Sequence, residues 1–133
     1  MTRKILGTGW KFPIRVDARG GLAYAREEQS VQEAIWIILG TAPGERRMRS
    51  EFGCGIHELV FAPNNPATRG NVAHQVRQAL TRWEPRIDVL SVQVDGDTET
   101  PNLLLIRVDY RIRTSNSMQN LVYPFYIRNE SSG

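Results

Sequence analysis

A chain of 133 residues, 41% apolar and 23% charged, is long enough to bury a real core and has the composition of one ordinary globular domain. Its single cysteine, Cys54, excludes an intramolecular disulfide, and no Cys/His spacing suits a structural metal, so neither metal nor cofactor is expected. No apolar run approaches the roughly 20 residues that cross a bilayer, and Met1-Thr2-Arg3-Lys4 lacks the apolar stretch of a signal peptide, so a cytoplasmic protein without a membrane span is expected.

The net charge is +3, and Lys4 and Lys11 are the only lysines. Arginine favours bidentate, partly desolvated pairing, which leans toward protein interfaces. The arginines are scattered and no nucleic-acid module is present, so nucleic acid is not an expected partner.

Residues 1–11 read as a flexible arm, and residues 12–133 as one domain. Phe12 to Asp17 alternates like a short strand, Gly20-Gly21 supplies a turn, and Leu22 to Ala25 can pair back as a hairpin. Ser30 and Glu33 have capping-box spacing and predict the start of a first helix, apolar almost all round through Leu39 and ended by Gly40. Trp36 is expected to fill the core there. After the Pro43-Gly44 turn, residues 45–50 form a basic extended segment. Phe52-Gly53-Cys54-Gly55 suggests special backbone angles or close packing around a small buried thiol. Ile56 to Phe61 reads as a helical turn with His57 and Glu58 toward solvent.

Asn65-Pro66 predicts a second helix, with Asn as cap and Pro at the first helical position. Val72, Val76, Ala79, Leu80 and Trp83 share its apolar face, while His74, Gln78 and Thr81 face water. Pro85 lacks an N–H and disfavours the helical region for Glu84, so this helix stops at about Trp83–Glu84. Glu84 and Arg86 then flank a rigid proline, either as two solvated charges beside a helix stop or as a fixed recognition element.

Beyond Pro85 the pattern is strand. Leu90, Val92 and Val94 alternate with polar residues. Leu104, Ile106, Val108, Tyr110 and Ile112 share one face of the next strand, opposite Arg107, Asp109, Arg111 and Arg113. The last strand runs from about Asn120 to Ile127, with Leu121, Tyr123, Phe125 and Ile127 on one face and Val122, Pro124 and Tyr126 on the other. Pro124 places it at a sheet edge, and an apolar edge needs a cover, from a partner strand or from the N-terminal strand. The expected class is therefore α+β: two main helices on an antiparallel sheet, with a C-terminal three-stranded meander and a short N-terminal hairpin.

Gly44-Glu45-Arg46, Phe52-Gly53-Cys54-Gly55 and Glu84-Pro85-Arg86, in this order and between these elements, carry a resemblance over about residues 10–128. The chain resembles the small baseplate wedge, or sheath-initiator, family of contractile tails, found in contractile phages, type VI secretion (TssE) and extracellular contractile injection systems. The resemblance implies a non-enzymatic structural subunit, one copy in each wedge of a six-fold baseplate, assembled in the cytoplasm into a tail or tail-like particle. Glu84, Pro85 and Arg86 would dock onto another wedge protein. Residues Leu121, Val122, Tyr123, Pro124, Phe125, Tyr126 and Ile127 would offer an edge to the first sheath ring. Other wedge proteins and the sheath are the implied partners, with the tail tube a further candidate. An exposed motif also implies that Arg86→Glu would leave the monomer folded while abolishing wedge binding.

Two other function classes stand beside this one. A soluble regulator of the anti-adaptor kind resembles the same fold and would not need an open apolar edge. A glycosidase would need a carboxylate pair such as Glu84 and Asp88 set across a cleft, and a thiol enzyme would need Cys54 with His57 or His74 as base.

Overall fold

The computed structural model describes residues 18–44 and 51–128, with side chains from residue 23 onward. The elements in chain order are helix α1 (Ala18–Gly40), a 3₁₀ turn (Gly55–Leu59), helix α2 (Pro66–Trp83) and strands β1 (Ile87–Gly96), β2 (Leu103–Ile112) and β3 (Ser117–Tyr126). The chain divides into two compact units, Met1–Ser30 and Val31–Gly133. The expected arm and the strand over 12–17 lie outside the described residues.

The expected N-terminal hairpin is corrected over its second half, because Leu22 to Ala25 belong to α1, which begins twelve residues before Ser30. Gly20 and Gly21 each cost a helix about 1 kcal/mol relative to alanine. Ala18, Leu22, Ala23, Ala25, Arg26, Glu27, Glu28 and Gln29 are good helix formers and outweigh them. Ser30 is consequently an interior helical residue and not a cap.

In the second unit, Val31, Ile35, Ile38 and Leu39 of α1 join Val72, Val76, Ala79 and Leu80 of α2 in one core. Trp36 departs from expectation: it is 41% exposed, with Ile37 exposed beside it. An α-helix one layer above a sheet buries only one stripe, and the i, i+4, i+7, i+8 set Val31–Ile35–Ile38–Leu39 already fills it. Helix α2 follows its sequence signals. Asn65 accepts a hydrogen bond from the Thr68 amide at 2.9 Å, Pro66 occupies the first turn, and His74, Gln78 and Thr81 are exposed.

The three strands form an antiparallel sheet in the order β1-β2-β3. In the β2–β3 ladder, Leu104 faces Phe125, Ile106 faces Tyr123 and Val108 faces Leu121, all toward the helices. A bulge between Val89 and Ser91 changes the phase of β1. Val89, not Leu90, therefore shares the core side with Val92 and Val94, and Leu90 is left exposed. Simple alternation misplaces Leu90 because it assumes one unbroken pleat.

The Phe-Gly-Cys-Gly loop packs as its glycines suggest. Gly53 has φ +128°, and a side chain there would collide with the Thr41 carbonyl. The Cys54 amide donates to that carbonyl at 2.9 Å, tying the loop to the end of α1.

Candidate docking site at the helix–strand corner

Helix α2 ends where Pro85 requires. The Glu84 amide still donates to the Leu80 carbonyl at 3.0 Å, closing the last turn, while its own backbone (φ −128°, ψ 82°) has left the helical region. The chain then turns through Pro85 and Arg86, and the Ile87 amide donates back to the Glu84 carbonyl at 3.4 Å as β1 begins. Trp83 steadies the helix end from one side: it is half-buried, meets Phe52 edge-on at 5.1 Å, and lies 4.7 Å beneath the Arg82 guanidinium. Arg82 in turn pairs with Glu51 at 2.9 Å.

The Glu84 side chain does not face solvent. Only 4% of it is exposed, and it turns back over the proline to meet Arg86. Its Oε1 accepts from the Arg86 amide at 3.1 Å and from Nε at 2.8 Å, and its Oε2 accepts from an Arg86 terminal nitrogen at 2.7 Å. This is a bidentate fork plus a backbone bond, the strongest geometry available to a guanidinium and a carboxylate. The two charges do stand in a fixed relation, but Glu84 is not displayed to solvent. Glu84 is an internal brace, and Arg86, 37% exposed, is the half of the pair that water reaches.

The correction extends to the variant Arg86→Glu. Removing one partner of a buried pair leaves the other charge uncompensated, so this substitution strikes the fold as well as the surface.

Beside the corner, at the same end of the sheet, lies a second set of charges. The Arg113 amide donates to the Arg86 carbonyl at 2.9 Å, continuing the β1–β2 ladder one step past Ile87–Ile112. Asp88, two residues after Arg86, accepts from Arg113 Nε at 2.8 Å through one oxygen and from Arg111 through the other. Those two guanidiniums hold the Asp88 carboxyl below the usual carboxylate range. The sequence pattern puts Arg111 and Arg113 on the outer face but does not join them to Asp88. The signal lies in the register: the first residues of one strand face the last residues of its hairpin neighbour.

Among the described residues, strands β1 and β3 are the two edges of the sheet, and β3 is the one that carries Pro124. Leu121, Phe125 and Ile127 are buried in the core and Tyr123 is half-buried, whereas Val122, Pro124 and Tyr126 are exposed on the opposite face. Ile127 is anchored by its amide to the Asn102 carbonyl at 2.8 Å. The Tyr123 ring stacks at a tilt on Trp36, 4.6 Å between centroids. Burial raises the Tyr123 phenol, with a smaller contribution from nearby Cys54.

The remaining candidates are structural. Cys54 is fully buried, its Sγ lies 3.6 Å from the Gln75 carbonyl, and burial pushes its thiol up to about 11. A nucleophilic thiol requires the opposite shift. His57, expected in solvent, is half-buried, with Nε2 2.9 Å from the Leu39 carbonyl and its ring edge-on to Phe125. It satisfies a carbonyl at the end of α1, the need that outweighs its polarity. Among the described residues no cluster of three or more His, Cys, Asp or Glu could hold a metal, and no helix is long and apolar enough to cross a membrane.

The family model for baseplate wedge protein gp25 matches residues 25–117. The chain belongs to this family. It is 33% identical over 66 residues to baseplate wedge protein gp25 of Enterobacteria phage T4, covering 50% of this chain and 50% of that protein. It is 30% identical over 64 residues to baseplate protein W of Escherichia phage P2, covering 48% of this chain and 56% of that one. The chain thus spans about half the length of these curated relatives. A crystal structure from Geobacter sulfurreducens, of a protein provisionally named a tail lysozyme, superposes with TM-score 0.73 at 48% identity, over 78% of this chain and 94% of that one. A chain of the baseplate complex from the type VI secretion system shares the fold, with TM-score 0.64 at 16% identity over 80% and 98% of the two chains.

Proposed function

We propose that this protein is a structural baseplate subunit of a contractile injection machine, assembled in the cytoplasm and present once per wedge. It docks onto a neighbouring wedge protein through the Pro85–Arg86 surface and offers β3 to the first ring of sheath. The observation that supports the docking most strongly is the Glu84–Arg86 fork. It spends a buried carboxylate on fixing the orientation of a half-exposed guanidinium, and a guanidinium held still loses less entropy when a partner carboxylate arrives. The three members of the motif take different roles: Glu84 positions, Pro85 sets the turn, and Arg86 makes the contact. For the sheath, the support is an outer strand with Val122, Pro124 and Tyr126 exposed, suited to main-chain pairing with an incoming strand.

The name of the Geobacter relative raises glycoside hydrolysis, and the geometry here argues against it. Such chemistry needs one carboxyl kept protonated as an acid opposite an ionised partner. Glu84 is tied to Arg86, and Asp88 is shifted toward the ionised form by two arginines.

The docking test uses a variant that removes both charges at once, Glu84→Gln with Arg86→Gln, so that neither is left buried and unpaired. The probe is the wedge subcomplex purified from the cells that carry this protein, prepared without it. The double variant should fold, by circular dichroism and thermal melting, and should fail to bind. A folded double variant that binds as well as wild type would refute the docking role.

A further inference from the structure

The corner is not an isolated arginine. Arg113 sits next to Arg86 through the backbone bond between them, and Arg113 and Arg111 share the two oxygens of Asp88. Arg113 and Arg111 are 59% and 42% exposed, while Glu84, the partner of Arg86, is buried. Among the described residues, three guanidiniums therefore stand against two carboxylates, and one of those carboxylates is out of reach of solvent. The strip has an excess of positive charge on its outer side, arranged in a row across the ends of β1 and β2.

We infer that the docking surface runs from Arg86 across the sheet end to Arg113 and Arg111, and that it takes a protein segment presenting at least two carboxylates. This rests on the docking role proposed for Arg86 and adds the extent of the surface and the chemistry of its partner. Charge complementarity selects the occupant. A guanidinium donates from more than one edge, and Asp88 already shows these side chains capturing a carboxylate inside the molecule. A phosphate backbone suits the strip less well. The surplus of a single positive charge is small for an affinity built on counterion release. Arg107 lies on the same sheet face two positions along β2 from Asp109, which bonds Ser91 at 2.8 Å, and it is outside the row.

Arg113 is the residue to test, because Asp88 keeps Arg111 when Arg113 is changed and no buried charge is stranded. Binding of Arg113→Gln, Arg113→Lys and the control Arg107→Gln to the purified wedge subcomplex is measured beside wild type and the Glu84→Gln, Arg86→Gln variant. Arg113→Gln should bind about tenfold more weakly, Arg113→Lys should recover part of the loss, and Arg107→Gln should stay within about twofold. Raising the salt concentration should weaken wild type more than Arg113→Gln, because one screened attraction has already been removed. If Arg113→Gln binds normally while the double variant does not, the extended surface is refuted and the docking role of Arg86 stands. If both bind normally, the docking role fails and takes this inference with it. Equal losses for glutamine and lysine at position 113 would overturn the carboxylate assignment. So would duplex DNA retained by wild type and released by Arg113→Gln.

Discussion

The Glu84–Arg86 corner and strand β3 are the two surfaces proposed to meet partners, and they are built in opposite ways. At the corner, a charge is fixed by internal bonds before a partner arrives: the carboxylate accepts two bonds from one edge of the guanidinium and a third from the Arg86 amide, and Pro85 removes the freedom between them. Along β3, the side chains that matter for folding point inward, and what faces outward is a strand edge with a few apolar side chains. A corner of the first kind recognises one arrangement of charge. An edge of the second kind can add a strand of almost any sequence, because main-chain bonds carry the contact. The difference teaches that stability and recognition are coupled at the corner and nearly separate along the strand.

The sharpest way to break this contrast is to strike the corner. Arg86→Glu sets a second carboxylate against buried Glu84, and loss of a buried pair costs about 3–5 kcal/mol, the lower part of the range being apt because Arg86 is partly solvated. Urea unfolding should show that loss for Arg86→Glu and a much smaller one for the neutral pair Glu84→Gln with Arg86→Gln. An Arg86→Glu protein as stable as wild type would mean that the fork contributes nothing to the fold, and that the corner resembles β3 after all.

A smaller effect probes the core beneath the edge, through Cys54. Its thiol is raised above the ordinary value of 9.0 to about 11. The unfolded chain therefore releases this proton first as pH rises, so the stabilisation is complete below pH 9 and is lost between about 9 and 11. The slope is at most about 1.4 kcal/mol per pH unit. Urea midpoints at pH 8 and pH 10.5 should show the decline in wild type and a shallower one in Cys54→Ala. The raised Tyr123 phenol adds loss of the same sign in both proteins. Equal slopes in the two proteins would mean that the thiol is more accessible than its packing against Gln75 implies.

The same contrast between local and collective causes separates what is legible in the sequence from what is not. The cap at Asn65-Pro66, the stop at Pro85 and the two faces of β2 and β3 are legible because each follows from a local rule of backbone chemistry or a strict period. Expectation fails where a sum or a neighbour decides. Gly20-Gly21 reads as a turn because glycine punctuates strongly, yet a run of helix formers on both sides overrides it. Apolar character alone points Trp36 and Leu90 inward, whereas the width of a buried stripe and a bulge decide which apolar residues face the core. The sequence points to the Glu84-Pro85-Arg86 corner but does not show that Glu84 is buried against Arg86. Two charges separated by a proline look like independent surface groups. Only the turn shows that the first folds back on the second, and only the register shows that Asp88, Arg111 and Arg113 continue the row.

The smallest expected effect on stability is on β3, and it tests the separation of folding from recognition most directly. Tyr126 is exposed on the outer face and pairs in register with Leu103. Tyr126→Lys removes no core contact, so unfolding should shift by no more than about 0.5 kcal/mol. A charged, flexible side chain on an edge strand opposes strand addition, which is how many proteins protect such edges. Sheath assembly on baseplates carrying Tyr126→Lys, followed by electron microscopy, should therefore fall while wedge binding is kept. Hydrogen exchange across 120–127 supplies the other arm: the amides that do not bond to β2 or to Asn102 should exchange rapidly in the isolated protein and slowly once sheath is present. Strong protection in the isolated protein would favour the soluble-regulator reading, because an edge already covered has no strand to offer. The two arms together separate an edge that is merely tolerant of charge from one that waits for a partner.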